Sequence, residues 1–341
     1  MRILMLGAGA IGGYFGARIH QAGGDVTFLV RPERERSLTE NGLHVSSPLG
    51  DIHIRPRCIT AFQGSESQKF DTAIVSCKAY DLDSAIEAII PALASHGIVV
   101  PLLNGMTHLQ RLEERFGPER MLGGVAHLGV SLTAEGHIRH LNELHRLMIG
   151  SRTAPAPPLV DALAEVFAGS GIGFVLSHNI ENEMWEKFVF LSALAGATCT
   201  MRAPIGYILQ THSGKAFVLG LFGECLAVAG KYGHETSKER LAQYRSQLTA
   251  WGSTSTASML RDIERKGPTE AEHILGDMVR RAQAHHIDVP LLQLAYSHMQ
   301  AYEIRRAHER SQLIIPPDQR KMVCKSVNSS VRPQDQQGNS C

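Results

Sequence analysis

Ile3-Leu4-Met5-Leu6-Gly7-Ala8-Gly9-Ala10-Ile11-Gly12 stands at the start of the chain. A helical pattern follows through Gln21, and then a second β-rich run, Asp25-Val26-Thr27-Phe28-Leu29-Val30. The glycines have G-x-G-x-x-G spacing between a strand and a helix. The first permits a tight turn, the second lets the backbone approach a pyrophosphate, and the third lets helix and strand pack closely. The helix N-terminus adds unpaired N–H groups and a partial positive charge. Gly7, Ala8, Gly9, Ala10, Ile11 and Gly12 are therefore expected to bind a dinucleotide. At the end of the second strand, where an Asp or Glu would hold a ribose 2′-hydroxyl, the chain has Arg31. A guanidinium pairs with a 2′-phosphate that a carboxylate would repel, which favours NADPH/NADP over NADH and argues against FAD. Glu33, two residues on, could still reach a ribose and keeps NADH open; a solvated surface role is the plain alternative for Arg31.

Outward from that stretch, Thr72–Ser76 and Ile98–Leu102 are further continuous apolar strands, and His53–Arg57 is a more polar edge candidate. Apolar strands separated by helices indicate a parallel sheet covered on both faces. Ala126–Ser131, His137–Leu141 and Arg146–Ile149 add β segments around a Glu-Gly turn. Leu159–Ser170 is a helix and Gly173–Leu176 a short strand. From Asn179 the pattern turns to helices, at Glu181–Met201, Gly214–Tyr232, Lys238–Thr249, Ser258–Glu264, Thr269–His285 and Leu291–Glu309. The fold class is α/β: a Rossmann-type parallel-sheet domain over 1–178 joined to an all-helical domain over 179–310. Residues 311–341, polar and without periodicity from Pro316, are expected to be a disordered tail.

Composition narrows the partners. The 341 residues are 43% hydrophobic and carry 34 Lys+Arg against 33 Asp+Glu, which excludes wholesale disorder and any general attraction to nucleic acid or anionic membrane. Arg280 and Arg281 belong to a solvated or interface helix face. Six cysteines lack C-x-x-C spacing, so neither a disulfide framework nor a zinc site is indicated. No apolar run reaches the ~18 residues of a membrane span, and Met1–Leu6 is too short for a signal peptide. A cytoplasmic protein is expected. Among 17 histidines, His137, His140 and His145 are the densest group; they lack H-E-x-x-H spacing, and no metal is expected.

Ligands of open parallel sheets gather beyond the carboxyl ends of the strands. Lys78 and Asn104 stand there, after Ile74-Val75-Ser76-Cys77 and Pro101-Leu102-Leu103. Lys78 could contact cofactor phosphate or ribose, and Asn104 could orient substrate or nicotinamide. A solvated lysine and a turn Asn before Gly105 are the alternatives.

These residues resemble the ketopantoate reductase family (2-dehydropantoate 2-reductases, ApbA/PanE-like). The matches are Gly7 through Gly13, Ser76-Cys77-Lys78-Ala79, Asn104-Gly105-Met106, Met184-Trp185-Glu186-Lys187-Phe188, Ser258-Met259-Leu260-Arg261-Asp262, Thr269-Glu270, and Ala284 through Pro290. Their order runs through about 310 residues. The resemblance implies an active site between the two domains and NADPH-dependent reduction of a 2-oxo acid such as 2-dehydropantoate. It implies Lys187 as general acid, Ser258 and Glu270 as substrate-binding, Asn104 near substrate and nicotinamide, and Lys78 near cofactor. Apart from it, Lys187 reads as a lysine snorkelling from an amphipathic helix, Ser258 as an N-cap and Glu270 as a first-turn surface carboxylate.

The chemistry suits a lysine. Hydride addition to a ketone leaves charge on oxygen, and an ammonium can stabilise that charge and donate the proton. Partial burial brings a lysine toward its working range, and Glu270, if close, would oppose that shift. One departure stands out. The reductases of pantothenate synthesis carry Asn four and eight residues beyond the catalytic Lys, where this chain has Leu191 and Ala195. Lys187 is thus expected to look along an apolar stripe, which alters substrate choice. The rival readings are a β-hydroxyacid dehydrogenase-like oxidoreductase, whose glycine loop usually has Met where Ile11 stands, and a catalytically silent NADP-binding sensor. The long helices could pair subunits into a homodimer.

Overall fold

A computed structural model describes residues 1–314, and the tail expected from Pro316 lies outside the described residues. Among the described residues ten strands form two sheets: β1 (Arg2–Leu6), β2 (Asp25–Leu29), β3 (Leu43–Ser46), β4 (Ile52–Ile54), β5 (Arg57–Ile59), β6 (Phe70–Val75), β7 (Leu93–Pro101), β8 (Leu122–Leu132), β9 (Ile138–Ser151) and β10 (Gly173–Leu176). The first sheet runs β5-β2-β1-β6-β7 and every pairing in it is parallel. Side chains alternate between its faces. Ile3 and Met5 meet Tyr14, Phe15 and Ile19 of the Ala10–Gln21 helix. Leu4 and Leu6 join the core beneath the Leu82–Ile89 and Thr107–Phe116 helices on the other face. A sheet buried on both faces needs apolar residues at successive positions, and this is why β1, β2 and β6 are continuous runs.

The remaining strands build a second sheet that the local pattern does not show. Its path is β10-β9-β3-β4, with β8 paired to β9. This sheet covers the far side of the Ala10–Gln21 helix, whose Gly13 abuts Ile138 while Gly16 sits against Phe28 of the first sheet. The glycines after the fingerprint thus let one helix lie between two sheets. The single edge strand expected at His53–Arg57 is two strands in different sheets, because Arg55-Pro56 interrupts pairing between β4 and β5. The segments His137–Leu141 and Arg146–Ile149 are one strand, β9.

From Ile180 to Ile314 the described elements are helical. The Ile180–Met201 helix is buried on nearly every side, from Met184 and Trp185 through Cys199, as expected of a helix at the centre of a domain. Around it stand Ile205–Ile208, Gly214–Lys231, Lys238–Leu248, Ser258–Glu264, Asp277–Ala284 and Pro290–Ile314. Two expectations change. The helix placed at Thr269–His285 starts at Ala271 and passes through a π-turn, Glu272–Gly276, before it becomes regular. The last helix continues to Ile314, past the boundary placed at 310. Among the described residues no helix is long and apolar enough to cross a membrane.

Candidate active site

The glycine loop has the shape of an anion cradle. Gly7 takes a φ of +94°, which favours glycine. A Cβ at Gly12 would collide with Ser76 Oγ and the Gly7 carbonyl, so the loop closes tightly on β6. A Cβ at Gly9 would meet nothing within 4 Å; its outer side faces open space that a phosphate could fill. Gly9 caps the helix without a side-chain bond, and the first turn carries no carboxylate. Free N–H groups, a helix dipole and room in front of them fit a pyrophosphate. Ala8 is buried behind the loop, and Ala10 and Ile11 are half-buried in the first helical turn.

Two side chains that brace this loop escape the motif. Ser76 Oγ donates to the Leu6 and Gly7 carbonyls at 2.9 and 3.3 Å. Arg34 Nη2 donates to the Ala8 and Gly136 carbonyls, both at 3.0 Å, tying the loop to the β8–β9 turn. Ser76 directly follows a strand that pairs with β1, so its position carries some signal. Arg34 has none, because its second partner lies 102 residues away. Arg31 is 75% exposed and pairs with Asp81 at 2.6 Å, at the mouth of the crevice between the β2 and β6 ends. Glu33 is exposed nearby.

Lys78, Asp262 and Glu270 form a bridge between the two halves. Lys78 Nζ lies 2.9 Å from Asp262 Oδ2 and 3.2 Å from Glu270 Oε2. The second Glu270 oxygen accepts from the Ala79 N–H at 3.1 Å. Burial pulls the Lys78 amine down, but Glu270 and Asp262 outweigh it and the amine is pushed up to about 12. Glu270 is only 4% exposed and precedes its helix, so it is not a first-turn surface residue. Ser258 is exposed at the first position of its helix, where Ala257 is the N-cap, so the capping role falls away. It shares a helix face with Asp262, four residues on. Asn104 is half-buried after β7. The following Gly105, at a φ of +81°, rests against the His273 carbonyl in the π-turn.

Lys187 lines a narrow cavity with Leu103, Gly105, Gly124, Val125, Met184, Phe188 and Leu191. Burial pushes its amine down to about 8, while the Glu270 carboxylate opposes the shift. Among the described residues its ammonium has no hydrogen bond or ion pair, although two flanking groups are tied down. Trp185 lies under the Arg281 guanidinium, 5.0 Å from its ring centroid, and Glu186 pairs with Arg240 at 3.3 Å. Two histidines near Lys187 were not singled out in the sequence, His108 and His127. Burial, then the Lys187 charge, holds each at about 3. The expected apolar stripe is only half realised: Leu191 lines the cavity, whereas Ala195 is packed into the core.

Of the three grouped histidines, His140 and His145 stay together beside Tyr14, their ring centroids 6.3 Å apart, and His137 turns to His44. His137 stacks near His44, His140 bonds Ser47 and the Leu144 carbonyl, and His145 meets the Tyr14 hydroxyl. Among the described residues no group of His, Cys, Asp and Glu could hold a metal. A wider depression between His44, His53 and His137 lies on the second sheet and contains none of the expected site residues.

Residues 3–153 match the model "Ketopantoate reductase PanE/ApbA", and residues 179–303 match its C-terminal counterpart. The chain belongs to the ketopantoate reductase family. An uncharacterized oxidoreductase of Bacillus subtilis, YkpB, is 33% identical over 306 residues, covering 90% of this chain and all of that one. The structure of 2-dehydropantoate 2-reductase from Geobacter metallireducens is 27% identical with a TM-score of 0.79, covering 88% of this chain and 99% of that one. D-mandelate dehydrogenase with NADH and anilino(oxo)acetate shares the fold at a TM-score of 0.81 and 20% identity, covering 90% and 99%. Ketopantoate reductases are NAD(P)H-dependent, and this chain is an oxidoreductase of that family. The doubly wound sheet with its helical partner is the family's fold.

Proposed function

We propose that this member of the family reduces a 2-oxo acid to the 2-hydroxy acid with NADPH, with Lys187 as the general acid. The observation that carries the reading is the state of Lys187. Its side chain is half-buried, its ammonium is unpaired among the described residues, and desolvation holds it at about 8. Such a group is mostly charged at neutral pH yet gives up its proton readily. When bound, the dinucleotide supplies the hydride that adds to the carbonyl carbon. The carbonyl π electrons move onto oxygen, and Lys187 Nζ gives that oxygen a proton, leaving a neutral amine for solvent to reprotonate. Glu270, held by Lys78 and the Ala79 N–H, keeps enough negative charge near Lys187 to limit loss of its proton.

The glycine loop would hold the pyrophosphate through the N–H groups at the start of the Ala10–Gln21 helix. Arg31, exposed at the end of β2 with no carboxylate in its place, supports NADPH over NADH. Asn104, three residues beyond β7, would orient the nicotinamide or the substrate. Ser258 and the bridge from Lys78 to Asp262 and Glu270 would close the helical half over the substrate.

The test is NADPH oxidation with a panel of 2-oxo acids, using wild type and Lys187→Ala. The variant is expected to lose about 10²–10⁴-fold in kcat while its NADPH Kd, followed by fluorescence, is unchanged. Full activity in the variant would remove Lys187 from the chemistry. Tight NADPH binding with no turnover of any panel member would instead favour a silent sensor.

A further inference from the structure

We infer that the substrate is a 2-oxo acid whose side chain is a hydrocarbon group, branched aliphatic or aryl, and not a hydroxylated one. The inference rests on the reductase reading above and deepens it. Of the eight residues lining the cavity at Lys187, seven offer hydrocarbon or bare backbone walls from both halves of the protein: Leu103, Gly105, Gly124 and Val125 on one side, and Met184, Phe188 and Leu191 on the other. Among the described residues, Lys187 is the only lining side chain that can make a hydrogen bond, and the carbonyl oxygen of the substrate takes it.

One backbone wall cannot replace it. Gly124 is committed to the β8–β9 ladder opposite Ile149. Two buried polar atoms without partners, Thr107 Oγ1 and His108 Nε2, are close in sequence, but neither residue lines the cavity. A substrate hydroxyl directed at the apolar side chains of these walls would lose its water and gain no partner. Leu191 decides the matter most directly. It stands one turn beyond Lys187 on the same helix, so it meets the group attached to the carbonyl that Lys187 serves.

A matched pair of substrates isolates that hydroxyl. 2-Dehydropantoate and 3,3-dimethyl-2-oxobutanoate differ only in a hydroxymethyl group replaced by methyl. With NADPH and the wild-type protein, kcat/KM is expected to favour the second compound by about ten- to a hundredfold, the discrimination an apolar pocket can reach against an added hydroxyl. Equal values, or a preference for 2-dehydropantoate, would overturn the inference while leaving the reductase reading intact. No turnover of either compound or of phenylglyoxylate would overturn both. Leu191→Asn is expected to move the ratio at least tenfold toward 2-dehydropantoate, mainly through KM. An unchanged ratio in a folded variant would remove Leu191 as the determinant.

Discussion

Lys78 and Glu270 meet at 3.2 Å although 192 residues separate them, and their contact joins the sheet half of the protein to the helical half. Asp262 adds a second carboxylate to the same ammonium. Glu270→Gln keeps an acceptor for the Ala79 N–H and removes only the charge. Because Lys78 retains 38% side-chain exposure, the loss is expected near 1–3 kcal/mol, less than for a fully buried pair. Thermal unfolding should show Tm lowered by several degrees, and a cycle with Lys78→Met should show coupling of about 1 kcal/mol. The raised Lys78 pKa gives a stabilisation present in full below pH 10.5 and lost only as pH rises through about 12. The wild-type minus variant difference should therefore hold constant from pH 6 to 9 for the Lys78 contribution.

Gly9 and Gly12 separate cofactor binding from folding. Gly12→Ala places a methyl group against Ser76 Oγ and the Gly7 carbonyl, and the backbone carbonyl cannot swing away. This variant is expected to lose stability by about 1–3 kcal/mol along with NADPH affinity. Gly9→Ala meets no protein atom within 4 Å, so Tm should be unchanged while NADPH binding falls at least tenfold. Thermal melts without cofactor and fluorescence titrations with it measure the two effects. A Gly9→Ala protein that binds NADPH normally would remove the phosphate from that position.

The glycine loop was legible because its signal is local: strand, turn and helix follow within twenty residues, and each has its own periodicity. Leu191 was legible for the same reason, since four residues along a helix keep nearly the same direction. Ala195 was misjudged because eight residues carry the chain about 12 Å along the axis, far enough to leave the cavity for the core. The second sheet could not be read from short segments, as β3 and β9 pair across almost a hundred positions. The bridge from Lys78 to Asp262 and Glu270 was hidden for a related reason. Each residue lies within a recognisable motif, but nothing local shows that a lysine after β6 faces carboxylates of the helical half.

Arg31 should set the choice of coenzyme. Its contact with Asp81 is an exposed ion pair, and such pairs contribute little, so a 2′-phosphate can take the guanidinium over. Arg31→Ala is expected to raise the Kd for NADPH by about tenfold or more and to leave that for NADH nearly unchanged. Asp81→Asn should tighten NADPH modestly by releasing Arg31. Titrations with both coenzymes at low and moderate salt give the comparison, and the NADPH advantage should shrink as salt rises. An equal loss for both coenzymes would place Arg31 away from the 2′ position.

Lys187 should leave opposite marks on activity and stability. Burial holds its amine at about 8 in the folded protein, against 10.5 ordinarily. Between those values the unfolded chain binds more protons, so stability rises with pH there; the cost is full below about pH 8 and gone above 10.5. Lys187→Met removes the partly desolvated charge, so it should melt at a higher temperature than wild type at pH 7, with the difference shrinking toward pH 10. Its reductase activity should fall by about 10²–10⁴-fold. In wild type the carbonyl reduction needs the charged amine, so kcat/KM should fall as pH rises through about 8, and oxidation of the hydroxy acid should gain over the same range. Glu270 holds the Lys187 proton in place, so Glu270→Gln should move that descending limb to lower pH. A Lys187→Met protein no more stable than wild type at pH 7, together with a flat pH profile, would show that the ammonium is neither strained by its burial nor used in the reaction.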